Sequence, residues 1–260
     1  MPLVSPYLPV SALLPAKRME AVDALRGIAM LWMTVFHFCF DLSHFGYWAQ
    51  DFRSDPVWTV QRTLIVSLFL ICAGMGQALA SANGLGWSRF SRRWLQVVGA
   101  ALLVTAGSAI MFPRTFIYFG VLHGMAVMLL IARLSTPAGR WLWPAGVVAL
   151  ALPSVAAWAL SGPLAGAADV FSSRALNWLG LVTRKPFTED YVPVLPWLGV
   201  MWWGVASGQW LLRHRPHWLA MPLPRSMGWL PVLGRHSLSY YLLHQPVMIG
   251  AIMAWAALAG

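Results

Sequence analysis

The sequence predicts an all-α protein: a polytopic integral membrane helical bundle of about seven transmembrane helices, N-terminus cytoplasmic and C-terminus external. Three observations carry that expectation. Apolar residues make up 59% of the 260 and charged residues 10%, with a mean hydropathy of +0.64, whereas soluble domains carry about a quarter charged residues. Seven apolar stretches reach the roughly 20 residues that a bilayer crossing requires. Lys and Arg divide twelve against six between alternate connecting segments, which puts the N-terminal side inside.

The same division argues against nucleic acid as a partner. The formal charge is +10, but the basic residues are dispersed between apolar stretches rather than gathered on one face. Cys39 and Cys72 lie within apolar stretches and show no metal-ligand spacing, so no metal is expected. Residues 1–16 contain four prolines and no charge; they read as a flexible cytoplasmic tail rather than a cleavable signal peptide, leaving 17–260 as the membrane domain.

The predicted spans lie near 22–45, 57–80, 94–112, 116–134, 141–161, 193–212 and 237–258. The first is the most informative. On a helix advancing about 100° per residue, Asp23, Arg26, His37, Asp41 and His44 fall within an arc of about 60°, with Met30 and Thr34 in the same stripe. A membrane helix that collects its ionisable groups on one edge keeps that edge off the lipid. His37 lies about 16 Å beyond Arg26 along the axis.

The second span ends in small residues (Ala73, Gly74, Gly76) suited to close packing. The basic loop after it, with Arg89, Arg92 and Arg93, fits both positive-inside topology and a polyphosphate site, where guanidinium forks are natural donors. Pro113-Arg114 joins the third and fourth spans tightly, and the fourth carries His123 at about the depth of His37. The fifth, with Pro144 and Pro153, reads as scaffold. In the outer segment 162–192, Val170 to Leu181 reads as a short interfacial helix, and the mixed-charge tail from Arg184 to Tyr191 as a solvated loop. Pro196, Gly199, Gly204 and Gly208 suit the sixth span to bending and close contact. In the seventh, Pro246 removes a helical hydrogen bond beside His244 and Gln245, so a polar pocket is expected there.

Several of these segments resemble a known family. Arg18-Met19-Glu20-Ala21-Val22-Asp23-Ala24-Leu25-Arg26-Gly27 followed by His37 resembles the opening of membrane acyltransferases. Phe119-Gly120-Val121-Leu122-His123, Leu195-Pro196-Trp197-Leu198-Gly199, Leu233-Gly234-Arg235-His236-Ser237-Leu238 and Tyr241-Leu242-Leu243-His244-Gln245-Pro246 narrow it to bacterial relatives of the catalytic domain of heparan-α-glucosaminide N-acetyltransferase. The resemblance implies an enzyme of a bacterial inner membrane that takes acetyl from cytoplasmic acetyl-CoA and delivers it to a sugar on the far side through an essential histidine. In the lysosomal enzyme that histidine follows the first span, which leaves His37 and His44 both open here. The heparan substrate itself is not carried over.

From the residues, His37 is the candidate base or acyl carrier, with Asp41 one turn on to orient it, and His44 and His123 as further catalytic candidates. Asp23, Arg26, Arg89, Arg92, Arg93 and His244 are the candidates for holding acyl-CoA, although Asp23 and Arg26 equally suit a structural ion pair. The expected partners are the bilayer, acyl-CoA and a sugar or glycan acceptor, with self-association left open. Two rivals stand beside the enzyme: a proton-coupled transporter, since membrane His and Asp also build proton relays, and a non-catalytic subunit of an envelope complex.

Overall fold

The computed structural model describes residues 19–259; the tail at 1–16, with Lys17 and Arg18, lies outside the described residues. Ten α-helices follow one another: α1 (Glu20–His44), α2 (Pro56–Ala82), α3 (Trp87–Met111), α4 (Val121–Ser135), α5 (Leu142–Ser161), α6 (Ala168–Ser172), α7 (Val194–His214), α8 (Pro216–Leu219), α9 (Trp229–Arg235) and α10 (Ser237–Ala259). Among the described residues, five stretches are long and apolar enough to cross a membrane: Glu20–His44, Pro56–Ala82, Trp87–Met111, Val121–Ser161 and Ser237–Leu258. Large apolar side chains such as Ile110, Trp158 and Leu258 stand exposed on the bundle, a surface suited to lipid. The protein is an integral membrane helical bundle.

A long helix occupies each predicted segment, but α4 has only 15 residues. It runs through a 3₁₀ stretch (Thr136–Trp141), kinked at Gly139 with φ 57°, directly into α5. The start of α4 is a correction to the sequence reading, which extended the helix back to residue 116. Residues 115–119 instead pair with the end of the outer segment: Glu189 N–H donates to Thr115 O, Val192 N–H to Phe119 O, and Thr188 Oγ1 to Phe116 O. Their backbone groups are satisfied across the chain, so no helix is needed to satisfy them. The tail of the outer segment is therefore tied into the fold rather than being a plain solvated loop. The helix expected from Val170 to Leu181 is split into α6 and a 3₁₀ turn (Asn177–Leu179), because Ser173 is extended between them and Gly180, at φ 90°, ends the turn.

The core sits around α7, where Met201 and Val205 are fully buried. This helix packs most extensively against α2 and α5 and also touches α4. A methyl group on Gly74 would meet the backbone at Met201, and one on Gly204 the backbone at Ile71, so the absence of side chains sets the α2–α7 spacing. On the other flank α1 packs against α2, α9 and α10, while α3 bridges α4 and α10. The short helix α9 is the element least visible in the sequence. It lies across the first turns of α1, where Gly27 faces the Leu230 carbonyl and Gly234 faces the Asp23 carbonyl.

Candidate functional site

The polar stripe of α1 faces α10, and its centre is a pair of histidines. His37 Nδ1 and His244 Nε2 are 2.7 Å apart, with the rings stacked at a centroid distance of 5.0 Å. The other nitrogen of His244, Nδ1, lies 2.7 Å from the Tyr241 carbonyl oxygen. That oxygen can only accept, so Nδ1 of His244 carries a proton. With both rings neutral, His244 Nε2 is then an acceptor and His37 Nδ1–H donates to it. The chain of assignments ends on His37 Nε2, which keeps its lone pair and is used in no hydrogen bond among the described residues. A nitrogen so placed can accept a proton.

Asp41 is almost fully buried on the same helix, but it does not orient His37; His244 takes that position. Gln245 hydrogen-bonds the Asp41 side chain, and Oδ2 has no partner among the described residues. On the other side of the pair, Thr34 Oγ1 is 2.7 Å from Tyr240 Oη and donates to the Met30 carbonyl at 2.8 Å. Tyr240 therefore donates to Thr34, and its ring stacks parallel to His244. Phe36 meets the His37 ring edge to face, and Phe52 and Trp58 pack edge to face on Phe36. His44 is exposed, in contact with the Phe40, Phe45 and Phe112 rings.

His123 belongs to a different structure. Thr105 Oγ1 donates to the Ile117 carbonyl at 2.8 Å, so at 3.0 Å it must accept from His123 Nε2–H. His123 Nδ1 in turn accepts from Gly120 N–H at 3.3 Å. Both ring nitrogens are spent on holding the start of α4. Asp190 completes this cap: its Oδ2 accepts from Val121 N–H at 2.7 Å and fills the space that a side chain at Gly120 would need. Burial raises the Asp190 pKa, against the Val121 N–H bond and the nearby Lys185 and Arg62 charges. Burial, with the Arg62 charge, lowers that of Lys185.

Near the start of α1, Arg26 Nη1 donates to Asp23 Oδ1 at 3.0 Å and Nη2 lies 3.4 Å from the Cys72 carbonyl of α2. Arg26 thus ties two helices together. Arg89, Arg92 and Arg93 are exposed on the first turns of α3. Helix α10 packs against both α1 and α3.

The family described as "Heparan-alpha-glucosaminide N-acetyltransferase, catalytic" matches residues 18–246. The chain belongs to that family. No curated protein and no solved structure matches it. Membership gives acetyltransferase activity as the class of chemistry and accounts for nearly the whole of this acetyltransferase, from the start of α1 to Pro246 in α10. The sequence suggests His244 as a residue that holds the acyl donor; in the fold it is the partner of His37. Nothing in the sequence marks Asp190, whereas Gln245 stands out beside Pro246 as part of an expected polar pocket. The spacing of Tyr240, Tyr241 and His244 on one side of a helix is the signal that marks α10 as the facing wall.

Proposed function

We propose that this acetyltransferase moves an acetyl group from cytoplasmic acetyl-CoA to a hydroxyl or amine of a sugar or envelope glycan at the opposite face of a bacterial cytoplasmic membrane. In this reading all seven long helices span, with the N-terminus inside, so that Arg26 and the Arg89, Arg92, Arg93 group face the cytoplasm. The observation that carries it is the uncommitted Nε2 of His37, at the end of a two-imidazole chain anchored on the Tyr241 carbonyl. His37 takes the proton from the acceptor as the acceptor's oxygen or nitrogen bonds to the thioester carbonyl carbon. The carbon–sulfur bond breaks, the electron pair leaves with the CoA sulfur, and the proton held on His37 is returned to solvent or to the thiolate. His244 keeps the imidazole in the tautomer that has Nε2 free. Arg89, Arg92 and Arg93 are exposed and form no ion pair among the described residues, a donor set that fits the donor's phosphates.

The test uses protein reconstituted in liposomes with labelled acetyl-CoA on the Arg26 side and candidate glycans on the other. Label should become covalently attached to glycan, be lost in His37→Ala by about 100- to 10,000-fold, and persist in His44→Ala. Full transfer by His37→Ala would sink the assignment. Movement of glycan or protons without any acetylated product would make the protein a transporter.

A further inference from the structure

We infer that the groove between the first turn of α5 and the last turns of α7 binds one anionic phospholipid of the surrounding bilayer, an acyl chain along its aromatic walls and the phosphate against the cations at its end. The site is separate from the histidine pair, which lies between α1 and α10, and it stands whether or not the proposed reaction does. Trp143, Ser207, Trp210 and Leu211 line about 500 Å³ of space, within the size range of small-molecule sites. Ser207, Trp210, Leu211 and His214 recur at i, i+3, i+4 and i+7, so they form one stripe of α7. Trp143 and Trp210 are 41% and 45% exposed, a large aromatic surface at the rim of the bundle.

The walls are held in advance of binding. Helices α5 and α7 run antiparallel and close: a methyl group on Gly146 would strike the Trp203 indole, and one on Gly199 the Gly146 carbonyl. Trp203 Nε1 donates to the Trp143 carbonyl at 3.1 Å, and Gln209 Nε2 donates to the Thr136 carbonyl at 2.8 Å. These bonds fix the start of α5, and the 3₁₀ stretch before it, against the end of α7. Preformed apolar walls accept a chain with little further ordering.

Charge selects the lipid. Arg140 stands three residues before Trp143, its guanidinium 5.7 Å from the Trp141 ring centroid. Arg213 stands three residues after Trp210, and the His214 ring stacks on that of Trp210 at a centroid distance of 5.3 Å. Both arginines are exposed and form no ion pair among the described residues. No acidic residue occurs between Asp55 and Asp169 or after Asp190, so neither helix nor the segment flanking it at this end supplies a carboxylate. Beyond α7 the same chemistry continues, with Trp218 and Met221 exposed beside Arg215 and Arg225. Cations interleaved with exposed tryptophan meet the headgroup layer of an anionic leaflet, and guanidinium forks match its phosphates.

A second copy of the chain is a poorer occupant. A two-fold contact through this face would set arginine against arginine, and like charges brought together oppose association. The lipid, by contrast, joins α5 to α7, the helix at the centre of the bundle that also packs on α2. Binding the folded state alone, it stabilises that state by mass action.

The experiment is native mass spectrometry of the full-length protein in neutral detergent, titrated with phosphatidylglycerol, phosphatidylcholine of the same chains, or glycerol 3-phosphate. One phosphatidylglycerol should be retained per chain, about tenfold more tightly than phosphatidylcholine, and glycerol 3-phosphate should not be retained. Arg140→Gln with Arg213→Gln should weaken phosphatidylglycerol about thirtyfold. Arg114→Gln with Arg184→Gln removes the same charge from exposed positions elsewhere and should stay within about twofold. Brominated phosphatidylglycerol should quench tryptophan fluorescence with saturation at one lipid per chain, and that saturable part should vanish in Trp143→Phe with Trp210→Phe. Phosphatidylglycerol should also raise the thermal midpoint of the unaltered protein and not that of the Arg140, Arg213 variant. Equal affinity for the two lipids, equal losses in the two arginine pairs, or saturable quenching that survives in the tryptophan pair would overturn the inference. Retention of glycerol 3-phosphate as tight as that of the lipid would make this an anion site and refute it, as would a lipid-free dimer dissociated by Trp210→Ala. None of these readouts needs turnover, so failure of the lipid site and failure of the catalytic reading are seen separately.

Discussion

His244 offers the sharpest test of the proposed chemistry, because its predicted role is to position His37 rather than to touch substrate. Replacing it by Ala removes the acceptor 2.7 Å from His37 Nδ1 and strands an N–H in a buried setting, at a cost of about 1–3 kcal/mol. The imidazole escapes that cost by rotating or changing tautomer, and either movement takes Nε2 off its target. At about 1.4 kcal/mol per tenfold, His244→Ala should lower kcat roughly 5- to 150-fold, below the ceiling of about 10,000-fold set by losing the base altogether. His244→Gln places a carbonyl oxygen at similar reach and should recover most of the loss. In the His37→Ala background, His244→Ala should cost nothing further, since the group it positions is gone. Initial rates at saturating acetyl-CoA, normalised to folded protein by size-exclusion chromatography, give all four values. Multiplicative losses in the double variant, or a Gln variant as poor as the Ala variant while both fold, would refute the positioning role.

Three further outcomes follow from the fold. Gly234→Ala sets a methyl group against the Asp23 carbonyl, so its thermal midpoint in detergent should fall by the equivalent of about 1–3 kcal/mol or more; Gly99→Ala, which meets nothing within 4 Å, should be neutral or stabilise by up to about 1 kcal/mol. His123→Ala removes a cap and not a base, so stability should drop by about 1 kcal/mol while turnover per folded molecule stays within about twofold. Because burial raises the Asp190 pKa, the folded state binds its proton more tightly than the unfolded state. That contribution to stability is complete below the ordinary carboxylate value of about 3.9 and is lost as pH rises through the raised folded pKa. Unfolding measured across pH 3–8 should show that loss and Asp190→Asn should lack it; identical slopes would refute it.

Much of the site was legible in α1. Period and chemistry together put Asp23, Arg26, His37, Asp41 and His44 on one edge, because a helix in lipid leaves no neutral place for such groups; the structure turns Arg26 to α2 and His37 to α10 and leaves His44 exposed. Partners were not legible. Asp41 lies at the helical spacing that should serve His37, yet Gln245 takes Asp41 and His244 takes His37. Spacing within one helix gives proximity, whereas the rotation of α10 against α1 decides which atoms meet. His123 misled for a related reason: matching depth in the membrane says nothing about azimuth, and its two nitrogens serve Thr105 and Gly120.

The sequence by itself determined that this is a membrane helical bundle, where its long helices lie, and which face of α1 avoids lipid. Those properties follow from composition and from a period of 3.6 residues, both local to the chain. Only the tertiary structure decided that Gly27 of the first motif packs on α9 and that Gly234 of the Leu233–Leu238 motif returns to the Asp23 carbonyl. It alone decided that residues 115–119 give up helix to pair with 189–192, and that the lone pair of His37 Nε2 stays free. Each of these depends on backbone atoms separated by tens to hundreds of residues in the chain. Side-chain pattern encodes which surfaces must be buried, but the approach of one glycine-bared backbone to another, and the direction of a hydrogen bond between two imidazoles, exist only once the helices are packed.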